Sequence, residues 1–229
     1  MLNIVDRLQR VKENIHNICS KLGRSPTEII LVAVSKTHPS EKIRELFKFG
    51  HYDFGENYVQ EALKKQEELS GCDIRWHFIG RIQSNKAKYL AGNFWMIHSL
   101  DSLKVAEILN KRSSTKGITQ KVLIQVNVGE EEQKAGLRKN EVKDFLQKVL
   151  RLEYLKIEGL MCIPPFFDEP EKSRPLFREL RILRDNLEIE FGIKLPYLSM
   201  GMSSDYIQAI EEGANIIRVG TDIFGPRGL

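Results

Sequence analysis

Ile29-Ile30-Leu31-Val32-Ala33-Val34-Ser35-Lys36 is the stretch on which the reading of the fold turns. A continuous apolar run of this length, closed by a charged residue, reads as a buried β-strand. The ammonium group of Lys36, set at the end of such a strand, is poorly solvated. Burial disfavours its charged form, lowers its pKa and makes the amine a better nucleophile. Lysines of that kind form Schiff bases with aldehydes and ketones. The plain alternative is a strand-end lysine that simply reaches solvent, since charged side chains are mostly exposed.

Outward from this strand the chain keeps a rhythm. Before it, Ile4, Leu8, Val11, Ile15, Ile18 and Leu22 alternate at spacings of four and three, one apolar stripe on a long helix that Gly23 stops. After it comes a helix from about Pro39 to Phe49, then a short strand Tyr52–Phe54 and a helix beginning near Glu56. The next strands are Arg75–Ile79, Phe94–His98, Val122–Val128, Lys156–Cys162, Tyr197–Met200 and Asn215–Val219. Between them lie a short helix Gln83–Leu90 and helices carrying Val105 and Leu109, Val142 and Leu146, Leu176 and Leu187, and Ile207, Ile210 and Ala214. Strands alternating with helices imply βαβ units and a parallel sheet. Such a succession suggests an α/β fold, a closed (β/α)8 TIM barrel with an extra N-terminal helix, forming one domain over residues 1–229. An open doubly wound sheet would need a glycine-rich first turn, and Ser35-Lys36-Thr37-His38-Pro39 has no glycine.

Composition bounds the rest. Over 229 residues, 41% are hydrophobic and 29% charged, which fits a soluble globular chain with a real core. A net charge of +4 with no basic block suits a phosphate-bearing small molecule and does not argue for nucleic acid. Cys19, Cys72 and Cys162 form no CxxC and are odd in number, so a reducing compartment is favoured. The N-terminus lacks a signal-peptide core and no run approaches a membrane span, so a cytoplasmic location is expected. The five histidines are scattered without ligand spacing, so metal binding is not expected. A monomer is expected from helix faces that read as charged, with no apolar stripe left over.

Active sites of (β/α)8 barrels sit at the carboxyl ends of the strands. Those ends offer Lys36, Asn57, His77 and Asn127, polar residues beside apolar strands, each of which could also be an ordinary cap or turn residue. Met200-Gly201-Met202-Ser203-Ser204-Asp205 is a small-residue turn opening a helix, where Ser203 could be an N-cap or a phosphate donor. Gly220-Thr221-Asp222 is a second such turn, and barrel phosphate sites are frequently built after strands seven and eight. Arg218 interrupts an otherwise apolar strand and must find acceptors, in an internal ion pair or on a ligand. A nucleophilic lysine, a phosphate cup and an arginine together match pyridoxal 5′-phosphate (PLP), which offers an aldehyde, a phosphate and a ring nitrogen.

The runs Val32-Ala33-Val34-Ser35-Lys36-Thr37, Phe54-Gly55-Glu56-Asn57-Tyr58-Val59-Gln60-Glu61, Trp76-His77-Phe78-Ile79-Gly80, Ile82-Gln83-Ser84-Asn85-Lys86, Gly159-Leu160-Met161, Leu198-Ser199-Met200-Gly201-Met202-Ser203 and Ile217-Arg218-Val219-Gly220-Thr221 occur in family order over nearly the whole chain. On them the chain resembles the pyridoxal phosphate homeostasis proteins, also described as proline synthase co-transcribed homologues. Position 82 is Ile where many relatives have Leu. The resemblance implies a barrel like the alanine racemase N-terminal domain with PLP on Lys36 and Arg218 facing the ring nitrogen. It further implies that Ser203, Gly220 and Thr221, with Ser199, hold the phosphate. Asn57 would lie near the cofactor, and Met161 and His77 would line the pocket. Lys134 sits in a loop that family members share, and no role is assigned to it.

Two functions of different class follow. One is a PLP-binding protein of vitamin B6 and amino-acid homeostasis, not an enzyme with a dedicated turnover, with apo PLP enzymes as recipients. The other is a PLP-dependent amino-acid racemase, which needs acid–base groups on both faces of the substrate α-carbon. In alanine racemases the second base is a tyrosine supplied by another domain. With the sequence ending at Leu229, no such domain is expected here, and Tyr58 and Tyr206 read as packing residues. The carrier is the favoured reading.

Overall fold

The computed structural model describes Asn3 to Pro226. Its strands are β1 (Ile30–Val34), β2 (Asp53–Glu56), β3 (Arg75–Phe78), β4 (Met96–Leu100), β5 (Gln120–Val126), β6 (Leu155–Cys162), β7 (Tyr197–Ser199) and β8 (Ile216–Val219). Among the described residues these eight pair in parallel and in sequence order, and β8 closes on β1 through Ile30↔Ile216 to Ala33↔Val219. The expected TIM barrel is therefore the observed one. Parallel strands are buried on both faces, which is why they read as apolar runs with little alternation.

The helices are α1 (Ile4–Leu22), α2 (Ser40–Lys48), α3 (Val59–Glu68), α4 (Ser84–Ala87), α5 (Leu103–Lys116), α6 (Val142–Val149), α7 (Arg174–Phe191), α8 (Tyr206–Glu211) and α9 (Thr221–Phe224). Most of the apolar core lies between strands and helices, and includes Phe54, Phe78, Leu109, Leu160 and Leu198. A smaller cluster fills the barrel itself, with Val32, Met96, Leu123, Met161 and Ile216.

The extra helix has a structural job. The helix after β8 is four residues long, and α1 packs across α9 and α8, where a longer last helix would lie. Its apolar stripe buries Leu8, Val11, Ile15 and Ile18, each contributing about 1.5–3 kcal/mol. Asn3 and Asp6 form a reciprocal capping box at its start, and Gly23 (φ 65°) ends it in the left-handed conformation. Arg24 then donates to the Ile210 and Ala214 carbonyls at 2.8 and 3.0 Å.

Four sequence expectations are corrected. The helix expected from Glu56 begins at Val59, because Glu56 continues β2 opposite Phe78. Ile207 does not face the core; Tyr206 does, with its hydroxyl accepting from Asn14 at 2.9 Å. Ser203 is not the N-cap of α8, since the turn runs on and the helix starts only after Asp205. Exposed helix faces are not wholly charged either, because α7 leaves Ile182 and Ile189 in solvent. No described helix is long and apolar enough to cross a membrane.

Candidate functional site at the carboxyl rim

A cavity of about 330 Å³ opens at the carboxyl ends of the strands, within the range of about 300–1,000 Å³ usual for small-ligand pockets. Lys36, one residue past Ser35 at the end of β1, stands on one side and Arg218 of β8 on its wall. Ser203, Ser204, Gly220 and Thr221 form a polar corner where the β7 and β8 turns meet. Val34, Ile79, Ile163 and Met202 supply apolar walls, and Phe166, 77% exposed, stands at the edge.

Arg218 and Ser203 are held by their neighbours. Arg218 is buried, and donates from Nη1 to Ser199 Oγ at 2.6 Å and from Nη2 to the Cys162 carbonyl at 2.8 Å. Burial pulls its pKa below the ordinary value, while Cys162 and Asp205 act in the opposite sense. The Cys162 thiol is pushed up to about 12 by burial, so it stays protonated beside that guanidinium. The Asp222 amide, in the first turn of α9, donates to Ser203 Oγ at 3.4 Å and ties the two turns together. Asn57 Oδ1 is buried on the cavity wall with no protein donor. A buried acceptor of that kind is costly unless a ligand or water satisfies it.

The alanine racemase N-terminal domain family model matches residues 7–228. A pyridoxal phosphate homeostasis protein of Aquifex aeolicus is 49% identical over 226 residues, covering 99% of both chains. The chain belongs to the pyridoxal phosphate homeostasis protein family. Among solved structures, PipY of Synechococcus elongatus, described with PLP bound, superposes with a TM-score of 0.85 at 37% identity, over 97% of this chain and all of that one. Alanine racemase of Clostridium difficile shares the fold at 19% identity and a TM-score of 0.79; the match covers 96% of this chain and 57% of that one.

The residues read from the sequence as this family's site do not all meet at the cavity. Lys36, Asn57, Ser203, Arg218, Gly220 and Thr221 line it. Ser199, His77 and Met161 do not. Ser199 is fully buried behind Arg218, its hydroxyl engaged by that guanidinium and by His98 Nδ1 at 2.8 Å. His77 is fully buried inside the barrel, bonded to Asp53 and His98. Met161 packs with Val32, Met96, Leu123 and Ile216. All three are buried in the barrel behind the residues that line the cavity. Asn127 serves its neighbouring loop, donating to the Glu131 carbonyl at 2.7 Å. Lys134 in the same loop pairs with Glu131 at 2.7 Å and donates to the Pro164 carbonyl.

A second set, on the outer side of the barrel, escaped the sequence reading. Lys65 of α3 is buried and donates to Glu56 Oε1 at 2.7 Å, Glu61 Oε1 at 2.7 Å and the Ser35 carbonyl at 2.8 Å. Ser35 Oγ donates to Glu56 at 2.6 Å, and the Thr37 amide donates to Glu61 at 2.6 Å. Residues on both sides of Lys36 are thereby fixed. Thr37 adopts φ 65°, an uncommon conformation for a β-branched residue. The available signal was the i,i+4 pair Glu61–Lys65, with Lys65 on the same helix face as Val59 and Ala62.

Gly80, after β3, shows how tightly the wall is set. A Cβ there would lie 2.1 Å from the Asn57 carbonyl oxygen. Gly80→Ala is expected to push Asn57 out of place and to cost about 3 kcal/mol, measured as a lower urea midpoint.

Proposed function

We propose that the chain binds PLP at this rim, attached to Lys36 as a Schiff base, and serves vitamin B6 and amino-acid homeostasis by holding and releasing it. The observation that carries this reading is one cavity bringing together the Lys36 amine, the Arg218 guanidinium and the hydroxyl-bearing corner Ser203–Thr221. The donor set fits the cofactor. The Lys36 amine would take up its aldehyde with loss of water, and the Arg218 guanidinium would stand beside its ring. The hydroxyls of Ser203 and Thr221 would take its phosphate. Asn57 Oδ1, buried without a protein donor, is an acceptor left over for a ligand. Bound PLP supplies an electron-withdrawing ring, and an arginine at the ring nitrogen weakens that pull by leaving the nitrogen unprotonated. That suits a carrier more than a racemase.

The tyrosines considered as a second base stand elsewhere. Tyr206 is turned into the core against Asn14. Tyr58 lines a neighbouring groove with Arg81 and Lys86. The free thiols of Cys19, Cys72 and Cys162 support a reducing, cytoplasmic setting. The expected recipients are apo PLP enzymes.

Purified protein mixed with PLP is expected to turn yellow, and borohydride reduction to place the label on Lys36. Lys36→Ala is expected to lose the visible band altogether. A wild-type protein that stays colourless and retains no PLP through gel filtration overturns the reading. Steady conversion of an L-amino acid to its D-form would favour the racemase instead.

A further inference from the structure

The barrel interior holds a line of polar side chains that the cavity does not use. Asp53 of β2 stands at the amino end of the barrel, clamped by Arg75 through Nε at 2.9 Å and Nη2 at 2.5 Å. His77 Nε2 lies 2.9 Å from Asp53 Oδ1, His77 Nδ1 lies 2.9 Å from His98 Nε2, and His98 Nδ1 lies 2.8 Å from Ser199 Oγ. Ser199 Oγ in turn accepts from Arg218 at 2.6 Å. His77, His98 and Ser199 have no measurable exposure. The line thus runs without a break from Asp53 to the wall of the cavity.

Its chemistry allows one direction when both imidazoles are neutral. Burial lowers the pKa of His77 and lowers that of His98 well below its ordinary value, where His77 and Arg218 add to the effect. Burial pulls the Asp53 pKa upward, but hydrogen bonds from His77 and Arg75 overcome this and leave it lowered, so Asp53 is an anion. An anion only accepts, so His77 Nε2 carries the hydrogen. His77 Nδ1 is then an acceptor, and His98 Nε2 carries the next hydrogen. His98 Nδ1 is an acceptor in its turn, and Ser199 donates to it. Arginine only donates, so Ser199 takes its hydrogen bond from Arg218. Every donor points from the cavity toward Asp53. Trp95 covers the lower end, 5.1 Å from the His77 ring, with Lys121 and Arg75 over its face.

We propose that His77 and His98 are positioning residues, which act through Ser199 to fix the guanidinium of Arg218 at the cavity wall, with Asp53 as the anionic terminus of the line. Arg218 has two of its donors committed, to Ser199 and to the Cys162 carbonyl, so the remainder have a set direction. A PLP ring nitrogen held in the cavity would meet the guanidinium in that orientation. The proposal rests on the reading of the cavity as a PLP site, and assigns the tuning of that site to residues that never touch it.

The test uses the intact chain in two measurements. In the first, nitrogen-15 NMR of the protein without PLP reads the two imidazoles near pH 7. Both are expected neutral, protonated at Nε2 and bare at Nδ1. A charged ring, or a hydrogen on either Nδ1, overturns the directed line. In the second, His98→Leu and His98→Asn are titrated with PLP beside Leu109→Ala, a core variant in α5 away from the barrel interior. His98→Leu is expected to weaken PLP binding about tenfold, the scale of losing a hydrogen bond to a charged group, and to shift the visible band. His98→Asn, which restores an acceptor for Ser199, should recover part of both. Leu109→Ala should leave both unchanged. Wild-type affinity and spectrum in His98→Leu sink the proposal, as does an equal change in Leu109→Ala. A wild-type protein that binds no PLP defeats the cavity reading instead, and the NMR result still decides the line.

Discussion

Lys65→Met is expected to lower stability by about 3–5 kcal/mol, the usual cost of removing one partner from a buried ion pair. The physical reason is the company Lys65 keeps. Glu56 is fully buried, and burial has already raised its pKa against the opposing pull of Lys65 and Ser35. Without the ammonium, Glu56 must take up a proton or stay as an uncompensated charge. The Ser35 carbonyl loses a donor at 2.8 Å, and Glu61 loses the contact that sets it against the Thr37 amide. The turn that carries Lys36 is then free to leave its left-handed geometry at Thr37. PLP affinity is therefore expected to fall together with the urea midpoint. In the double variant Lys65→Met with Glu56→Leu, no buried charge is left alone, and much of the stability should return while the PLP defect remains. A single variant that unfolds within about 1 kcal/mol of wild type would show that the pair carries little of the fold.

The second large effect is a loss of stability in mild acid. His51 is buried and its pKa is lowered to about 4, chiefly by burial, with Lys12 adding to the effect. Its ordinary value is near 6.5, so below that pH the unfolded chain takes up a proton that the folded chain refuses. The stabilising contribution is complete above about pH 6.5 and disappears as the pH falls to about 4. From these two values it amounts to about 2 kcal/mol lost by pH 5 and about 3 kcal/mol by pH 4. His77 and His98 act in the same direction, since burial lowers both. Glu56 acts against them, because its raised pKa lets the folded state bind a proton first. Asp222, also raised by burial, acts with Glu56, but the three buried histidines have the larger effect, so urea midpoints should drop between pH 7.5 and pH 5. His51→Leu should remove about 2 kcal/mol of that drop. A stability that is level over this range would mean the histidines are hydrated or charged in the folded state.

Much of the architecture could be read along the chain. Each apolar run became a strand, because a parallel strand covered on both faces has no solvent side to mark with polar residues. The α1 stripe and its stop at Gly23 needed only helical period and a residue at home with φ 65°. Boundaries failed where a distant partner decided them. Glu56 reads as a helix-start residue, yet it stays in β2 because Lys65 from α3 reaches back to neutralise it. Tyr206 took the core position expected of Ile207 because Asn14 of α1 offers its hydroxyl a partner.

The site divides in the same way. Residue chemistry alone pointed to Lys36, Arg218 and the two small-residue turns, because an amine, a guanidinium and hydroxyls at strand ends are unusual wherever they occur. Residue chemistry could not separate the wall of the cavity from the layer behind it. His77 and His98 are 21 residues apart and looked scattered. Closing the barrel brings β3 beside β4 and β7 beside β8, which places both histidines on one axis with Asp53, Ser199 and Arg218. Sequence by itself determined which chemical groups this protein possesses and that they sit on a barrel of repeating βα units. Only the tertiary structure decided which of them face the cavity and which face each other, because strand closure and side-chain direction, not spacing along the chain, determine what each side chain meets.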